Sequence, residues 1–248
     1  MIFLSCANPA GATALAAIRT SKAIVIAMDS QLSALDGSSI GTYCKIREYG
    51  LFTVALTGLA FDRESGFDAF EIARASLSTG PEDKALAGFL QQMTKGLLSV
   101  AEWDTAHNRD NSSLNRKGRY ILSAVVAWRQ SRTLKMHAYN FSIVKEASQE
   151  LRVHAAVQRC PGDCKDGMTL YLGGPHMVNE DYYRQFPNKF QANPIPVLRG
   201  YVQLLIKKFP MDYSGPIAII RIDRSGTSWV QDGVCRDSAL RDGANSAF

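Results

Sequence analysis

Residues 23–29 read Ala-Ile-Val-Ile-Ala-Met-Asp, an apolar run that ends on a carboxylate. A run rich in Val, Ile and Ala, set off by the polar turn Arg19–Lys22, reads as a β-strand. No position before Asp29 is polar, so both strand faces must be covered, and the strand belongs inside a layered fold. The preceding run, Thr13–Ile18, forms the other arm of a hairpin. Thr42–Arg47 and Leu51–Thr57 read as a second pair of strands, split by Glu48-Tyr49-Gly50.

The pattern then turns helical. Phe67, Phe70, Ala73 and Leu77 share one helical face, and Leu86, Phe89, Leu90, Met93, Leu97 and Val100 make a stronger stripe at the 3.6-residue period. A break at Ser78–Pro81 separates the two helices. Asp104–Gly118 reads as a long polar surface loop whose charges are solvated. Tyr120–Trp128 and Leu134–Asn140 predict a strand hairpin, followed by an ambiguous stretch to Cys164. Met168–Leu172 reads as a short strand ending at Gly173-Gly174. Helices are expected near His176–Phe186 and Pro196–Phe209, the latter lined by Leu198, Tyr201, Val202, Leu205 and Phe209. A closing hairpin joins Ile217–Asp223 to Thr227–Gln231. Strands, two helices, strands, two helices and strands define an α+β chain that can bury two sheet faces against each other, with helices on the outer faces. No repeat or linker divides it, so one domain is expected over 13–235, with a polar tail at 236–248.

Composition excludes some functions. With 46% hydrophobic and 21% charged residues in a chain of 248, the balance is that of a globular protein with a substantial core. The net charge of +5 is spread out, with no dense basic run interleaved with aromatics, so no nucleic-acid partner is expected. No apolar stretch approaches the roughly 20 residues of a membrane span, so no stable membrane insertion is expected.

Residues 1–12 carry no charge and end in Ala10-Gly11-Ala12, a small-residue site of the kind signal peptidases cut after. They read either as the tail of a signal peptide or as an ordinary short N-terminal extension or propeptide. Export is the expectation if a basic start and apolar core precede Met1, and cytoplasmic residence otherwise. Removal of this leader takes Cys6 and leaves Cys44, Cys160, Cys164 and Cys235. Cys160 and Cys164 fit a small disulfide loop or free thiols better than metal, since no second pair and no spaced histidines complete a zinc site. His107, His137, His154 and His176 are scattered and read as surface or core histidines.

A cut after Ala12 exposes Thr13. A chain-initial threonine carries a hydroxyl nucleophile and a free α-amine on one residue, so it can act as its own general base. The reference α-amine pKa of about 7.7–8.0 suits that role near neutral pH. Asp29 and Lys45 follow Thr13 at two equal intervals of sixteen residues. A nearby ammonium lowers the pKa of its titratable neighbours, and it needs a carboxylate to orient it.

Thr13-Ala-Leu-Ala-Ala-Ile, Ile24-Val-Ile-Ala-Met-Asp29-Ser, Cys44-Lys45-Ile46 and Thr57-Gly58-Leu59-Ala60-Phe61-Asp62 together resemble a bacterial proteasome β-type subunit, of the N-terminal-nucleophile (Ntn) hydrolase superfamily. The match is ungapped from Thr13 through Lys45 and shifts by one residue before Gly58. The resemblance implies a four-layer αββα sandwich and a threonine-type peptidase that hydrolyses peptide or other amide bonds without a cofactor or metal. It assigns Thr13 as nucleophile, Lys45 as charged activator, Asp29 as its orienting partner and the Gly58 N–H as oxyanion donor, with Ser214 near the Thr13 amine. For substrate, it places Ser33 where backbone hydrogen bonds meet an extended peptide. Leu32, Tyr43 and Leu56 fall near an apolar first specificity pocket. The same four positions are equally read as core or edge-strand residues. Relatives assemble as rings, so a homo-oligomer is implied.

The chain departs from the family's pattern at several points. Ala14 replaces a second small polar residue, and Ala12 stands where a glycine is usual. Gly173-Gly174-Pro175 occupies the place of a supporting serine, and Asp212-Tyr-Ser214-Gly215-Pro216 is a shortened late motif with Asp212 one residue out of register. Two other functions fit the sequence: a non-catalytic scaffold or binding protein with its N-terminus blocked, and an amidase acting on small molecules.

Overall fold

The computed structural model describes residues 14–33, 39–78, 80–107, 120–146, 150–164, 169–186 and 188–235. The leader, Thr13 and the tail at 236–248 lie outside the described residues. The chain forms a mixed α+β fold of antiparallel sheets and, among the described residues, five helices.

The strands run β1 (Leu15–Arg19), β2 (Ala23–Met28), β3 (Gln31–Ser33), β4 (Ser39–Thr42), β5 (Ile46–Tyr49), β6 (Phe52–Gly58), β7 (Phe61–Asp62) and β8 (Phe67–Asp68). Helices α1 (Ala69–Leu77) and α2 (Glu82–Ala106) follow, then β9 (Leu122–Gln130), β10 (Thr133–Lys145), β11 (Leu151–Cys160) and β12 (Thr169–Gly173). Helices α3 (His176–Gln185), α4 (Lys189–Ala192) and α5 (Pro194–Lys208) lead into β13 (Ala218–Asp223) and β14 (Gly226–Gln231). The first sheet has the order β12-β1-β2-β13-β14 and the second β11-β10-β9-β6-β5; β3 pairs with β4 and β7 with β8.

Side-chain alternation decides where the core sits. In β2, Ile24, Ile26 and Met28 join one apolar cluster, while Val25 and Ala27 join another. In β6, Ala55 shares the first of these clusters with β2, and Phe52, Val54 and Leu56 turn to a third. The shared cluster holds residues of both sheets, including Leu15, Ile26, Val125 and Ile220. The second sheet's other face packs with Phe70, Phe89, Met93 and Leu97 of α1 and α2, and the first sheet's other face with Phe190, Leu198, Tyr201 and Leu205 of α4 and α5. This is the period-2 arithmetic of a strand buried on both faces. Every residue of β2 is buried, as its apolar run requires.

Helix α1 starts where it does because Asp68 caps it, accepting from the N–H groups of Phe70 at 2.8 Å and Glu71 at 3.1 Å. Such a cap contributes about 1 kcal/mol. Phe67, expected on the helix, instead lies in β8, and the cap marks the boundary. The strand expected over Thr42–Arg47 is broken: residues 43–45 belong to no strand. The ambiguous stretch before Cys164 contains β11, whose exposure alternates because Leu151, Val153, Ala155 and Val157 pack on the core beside α1 and α2 while the intervening side chains point away from it. Asp104 corrects a further expectation. It is not solvated but 1% exposed, because α2 continues to Ala106 and carries it onto the buried face. Among the described residues, no helix is long and apolar enough to cross a membrane.

Candidate active site

Asp29 leaves β2 beside the point where β1 begins. Its N–H donates to the Ala14 carbonyl at 3.1 Å, extending the β1–β2 ladder by one step. Its carboxylate is then held from three directions. Oδ1 accepts from the Ala14 N–H at 3.0 Å and from Lys45 Nζ at 3.3 Å, while Oδ2 accepts from the Ser214 N–H at 3.3 Å. Asp29 is 1% exposed and Lys45 6%. The lysine reaches this position from the strand-free residues 43–45, anchored where Tyr43 N–H donates to Ser30 O at 2.7 Å and Leu56 N–H donates to Lys45 O at 3.2 Å.

The shared Oδ1 atom matters most. It places the Lys45 ammonium and the peptide N–H of Ala14 on one oxygen, and Ala14 is the residue after Thr13. Two charges singled out from the sequence thus converge at the start of β1, although Thr13 itself lies outside the described residues.

Burial governs the electrostatics. It pushes the Asp29 carboxyl up to about 6, against the opposing pull of Lys45 and of the Ser214 and Ala14 N–H groups. Burial likewise lowers the Lys45 ammonium, and Asp29 pulls it back up. The folded Asp29 therefore binds a proton more tightly than an unfolded aspartate near 3.9. Stability contributed by that proton is complete below about pH 4 and is lost as pH rises through about 6. The expected result is an Asp29 ¹³Cγ titration by NMR with a midpoint near 6; a midpoint at or below about 4 refutes the burial account.

Gly58 ends β6 with φ +94°, a conformation side chains rarely adopt. The next residue, Leu59, donates its N–H to Ile121 O at 2.8 Å. Ser214 is fixed through its backbone, donating to Asp29 and accepting from Gln31 N–H at 3.0 Å. Gly215 follows with φ +82°, where a Cβ would lie 2.7 Å from Ser30 Oγ; glycine lets this turn close on the site. Leu32 and Ser33 lie in β3, opposite Gly41 and Ser39 of β4. Tyr43 is half-buried, its ring 5.6 Å from that of Phe70, with the Arg47 guanidinium 5.2 Å above it. Leu56 is 1% exposed and fills the core shared with α1 and α2.

Several supporting residues stand outside the set singled out from the sequence. Ser30 Oγ donates to Pro216 O at 2.8 Å, and Gln31 Nε2 donates to Met211 O at 3.0 Å, so the two residues after Asp29 hold the 211–216 loop. The signal that could have found them is a polar triplet ending a wholly apolar strand. Asn179 of α3 donates to the carbonyls of Leu172 and Gly174 at 2.9 and 3.1 Å and accepts from Tyr201 OH. It fixes the turn after β12, where Gly173 pairs with Leu15. Between the sheets, Asn140 Oδ1 accepts from Ser123 Oγ at 2.6 Å and Tyr171 OH at 3.2 Å. His137 packs edge-on against Trp128, its imidazole held down to about 4, chiefly by burial.

Two disulfides are present among the described residues. Cys160 bonds to Cys164, and Cys44, the residue before Lys45, bonds to Cys235. Among the described residues no group of three or more His, Cys, Asp or Glu side chains is placed to hold a metal ion. No protein-family model matches the chain, and no curated protein matches it.

Proposed function

We propose that the chain is a proteasome-like threonine hydrolase of the Ntn superfamily, cleaving peptide or other amide bonds with Thr13 as nucleophile once residues 1–12 are removed. The observation that carries this reading is the buried Asp29–Lys45 pair bonded to the Ala14 N–H. Burying two charges costs several kcal/mol per ion before their attraction is counted. A purely structural role does not require that arrangement at the residue next to Thr13. The three apolar clusters support a four-layer αββα sandwich over residues 13–235.

In this mechanism the Thr13 α-amine takes the hydroxyl proton as Oγ attacks the substrate carbonyl. The Lys45 ammonium favours both the free amine and the developing alkoxide, and Asp29 keeps it oriented. The Gly58 N–H receives the tetrahedral oxyanion. Collapse breaks the C–N bond, and the amine leaves with the proton held by the α-amine. Water, deprotonated by the same α-amine, then hydrolyses the Thr13 ester and restores the hydroxyl.

Leu32, Ser33, Tyr43 and Leu56 are assigned to substrate contact on resemblance alone. Ser214 serves the site through its hold on Asp29. A homo-oligomer is part of the same reading, and the two disulfides favour an oxidising compartment.

The test is the intact mass and N-terminal sequence of protein purified from its native host, followed by incubation with short peptide esters and amides. A chain starting at Thr13, with an acyl group trapped on its first residue, is the expected result. A chain that retains Ala12, or one that is never acylated, would hand the lead to a non-catalytic scaffold. Hydrolysis of small acylated amines without peptides would favour an amidase.

A further inference from the structure

Cys44 and Cys235 are separated by 191 residues in sequence, yet their Cα atoms are 4.7 Å apart and both side chains are buried. The bond joins two particular places. Cys44 sits in the strand-free residues that lead into β5, the edge of the second sheet. Cys235 follows β14, the edge of the first sheet, with its N–H donating to Asp232 O at 2.8 Å. Both sulfurs belong to the apolar cluster shared by the two sheets. The covalent link therefore ties one sheet edge to the other at the residue immediately before Lys45.

Lys45 must cross between sheets to reach Asp29, which follows β2 of the first sheet. Residues 43–45 lack the ladder that holds a strand, and backbone bonds from Tyr43 to Ser30 and from Leu56 to Lys45 tie them at either end. A buried ammonium also tends to draw its chain toward water unless the backbone is constrained. We propose that the Cys44–Cys235 disulfide is the positioning device for Lys45, so that the site becomes fully competent only when these two thiols are oxidised. In that oxidation the two thiols lose two electrons and two protons to a partner disulfide, which is released as two thiols. A chain made under reducing conditions would then turn over about 10–100-fold more slowly until it reached an oxidising compartment. The kinetic consequence rests on the hydrolase reading; the positioning of Lys45 does not.

The experiment uses the protein processed to begin at Thr13, which also removes Cys6, and carrying Cys160→Ser and Cys164→Ser so that reduction addresses one bond; it is compared oxidised, reduced with dithiothreitol, and reoxidised. Cys235→Ser on the same background supplies a form that cannot close. Peptide mapping after alkylation without reductant should recover a linked Cys44–Cys235 peptide. Hydrogen exchange should show the Leu56 amide, which donates to Lys45 O, exchanging faster once the bond is opened. With a peptide substrate, kcat should fall about 10–100-fold on reduction with KM within about twofold, and return on reoxidation except in Cys235→Ser. Two alkylated thiols in the untreated protein would overturn the proposal. So would unchanged Leu56 exchange, or equal kcat in oxidised and reduced protein. If no form turns over substrate, the hydrolase reading fails, and the exchange of Leu56 still decides whether the bond positions Lys45.

Discussion

Replacing Lys45 by Met is expected to destabilise the protein by about 3–5 kcal/mol at neutral pH, the usual loss when one member of a buried ion pair is removed. Methionine fills much of the lysine's volume, so the effect is electrostatic and not a cavity. Asp29 keeps its bonds from the Ala14 and Ser214 N–H groups but loses the ammonium that balances its charge. Burial already holds this carboxyl near 6 against the lysine's opposing pull, and removing that pull raises it further. The sign of the pH dependence follows. The folded variant binds a proton that the unfolded chain releases above about 4, so its stability improves as pH falls from neutral toward about 4. Denaturant titrations of both proteins at about pH 7 and about pH 5, on either side of the unmutated protein's folded midpoint near 6, measure this directly. A Lys45→Met deficit that is equal at both would mean Asp29 is not the group left uncompensated. Under the proposed mechanism the same substitution removes the charge that favours the free α-amine, and turnover should fall by about 10³-fold or more.

Gly58→Ala should be nearly as damaging for a different reason. The φ of +94° strains any residue with a Cβ by about 1–3 kcal/mol. The added methyl would also press on Ile121 O, with Ile121 C at 3.0 Å and Leu122 Cα at 3.1 Å, all of it backbone at the start of β9. Relief requires the end of β6 to leave β9, which breaks the Leu59–Ile121 hydrogen bond at a cost of about 1–3 kcal/mol. The expected total is about 2–6 kcal/mol. Gly80→Ala is the internal control, since Gly80 has a similar φ of +91° with nothing within 4 Å of the place its methyl carbon would occupy. Its loss should be only the strain part, about 1–3 kcal/mol. Equal denaturation midpoints for the two variants would show that the contact with Ile121 carries no cost. Under the proposed mechanism, displacing the Gly58 N–H should cost about 10²–10³ in kcat, the usual worth of one oxyanion donor.

These two substitutions bracket what the site needs. Lys45 supplies a buried charge paired with Asp29, and Gly58 supplies a backbone shape that a neighbouring strand enforces. Asp29 gathers the start of β1, the head of Lys45 and the loop before β13 onto one carboxylate. A change at Lys45 should therefore alter the pH profile of Asp29, and not only the overall stability.

Read alone, the sequence determined the local elements and the charged pair. The wholly apolar Ala23–Met28 run, the α2 stripe from Leu86 to Val100 and the α5 face from Leu198 to Leu205 reflect periods of two and 3.6, which depend only on near neighbours in the chain. Asp29 and Lys45 were legible as a pair through their even spacing from Thr13 and the family resemblance that spacing carries. What surrounds that pair was decided by tertiary structure. Ser214 lies 185 residues from Asp29, and Cys235 lies 191 from Cys44. Neither contact leaves a trace in local pattern, because each depends on how sheets stack and where their edges meet. The burial of Asp104 belongs to the same class: a carboxylate at the end of a helical stripe reads as solvated until packing fixes which face of α2 is covered. Periodicity is a property of the chain, whereas desolvation and long-range pairing are properties of the packed molecule.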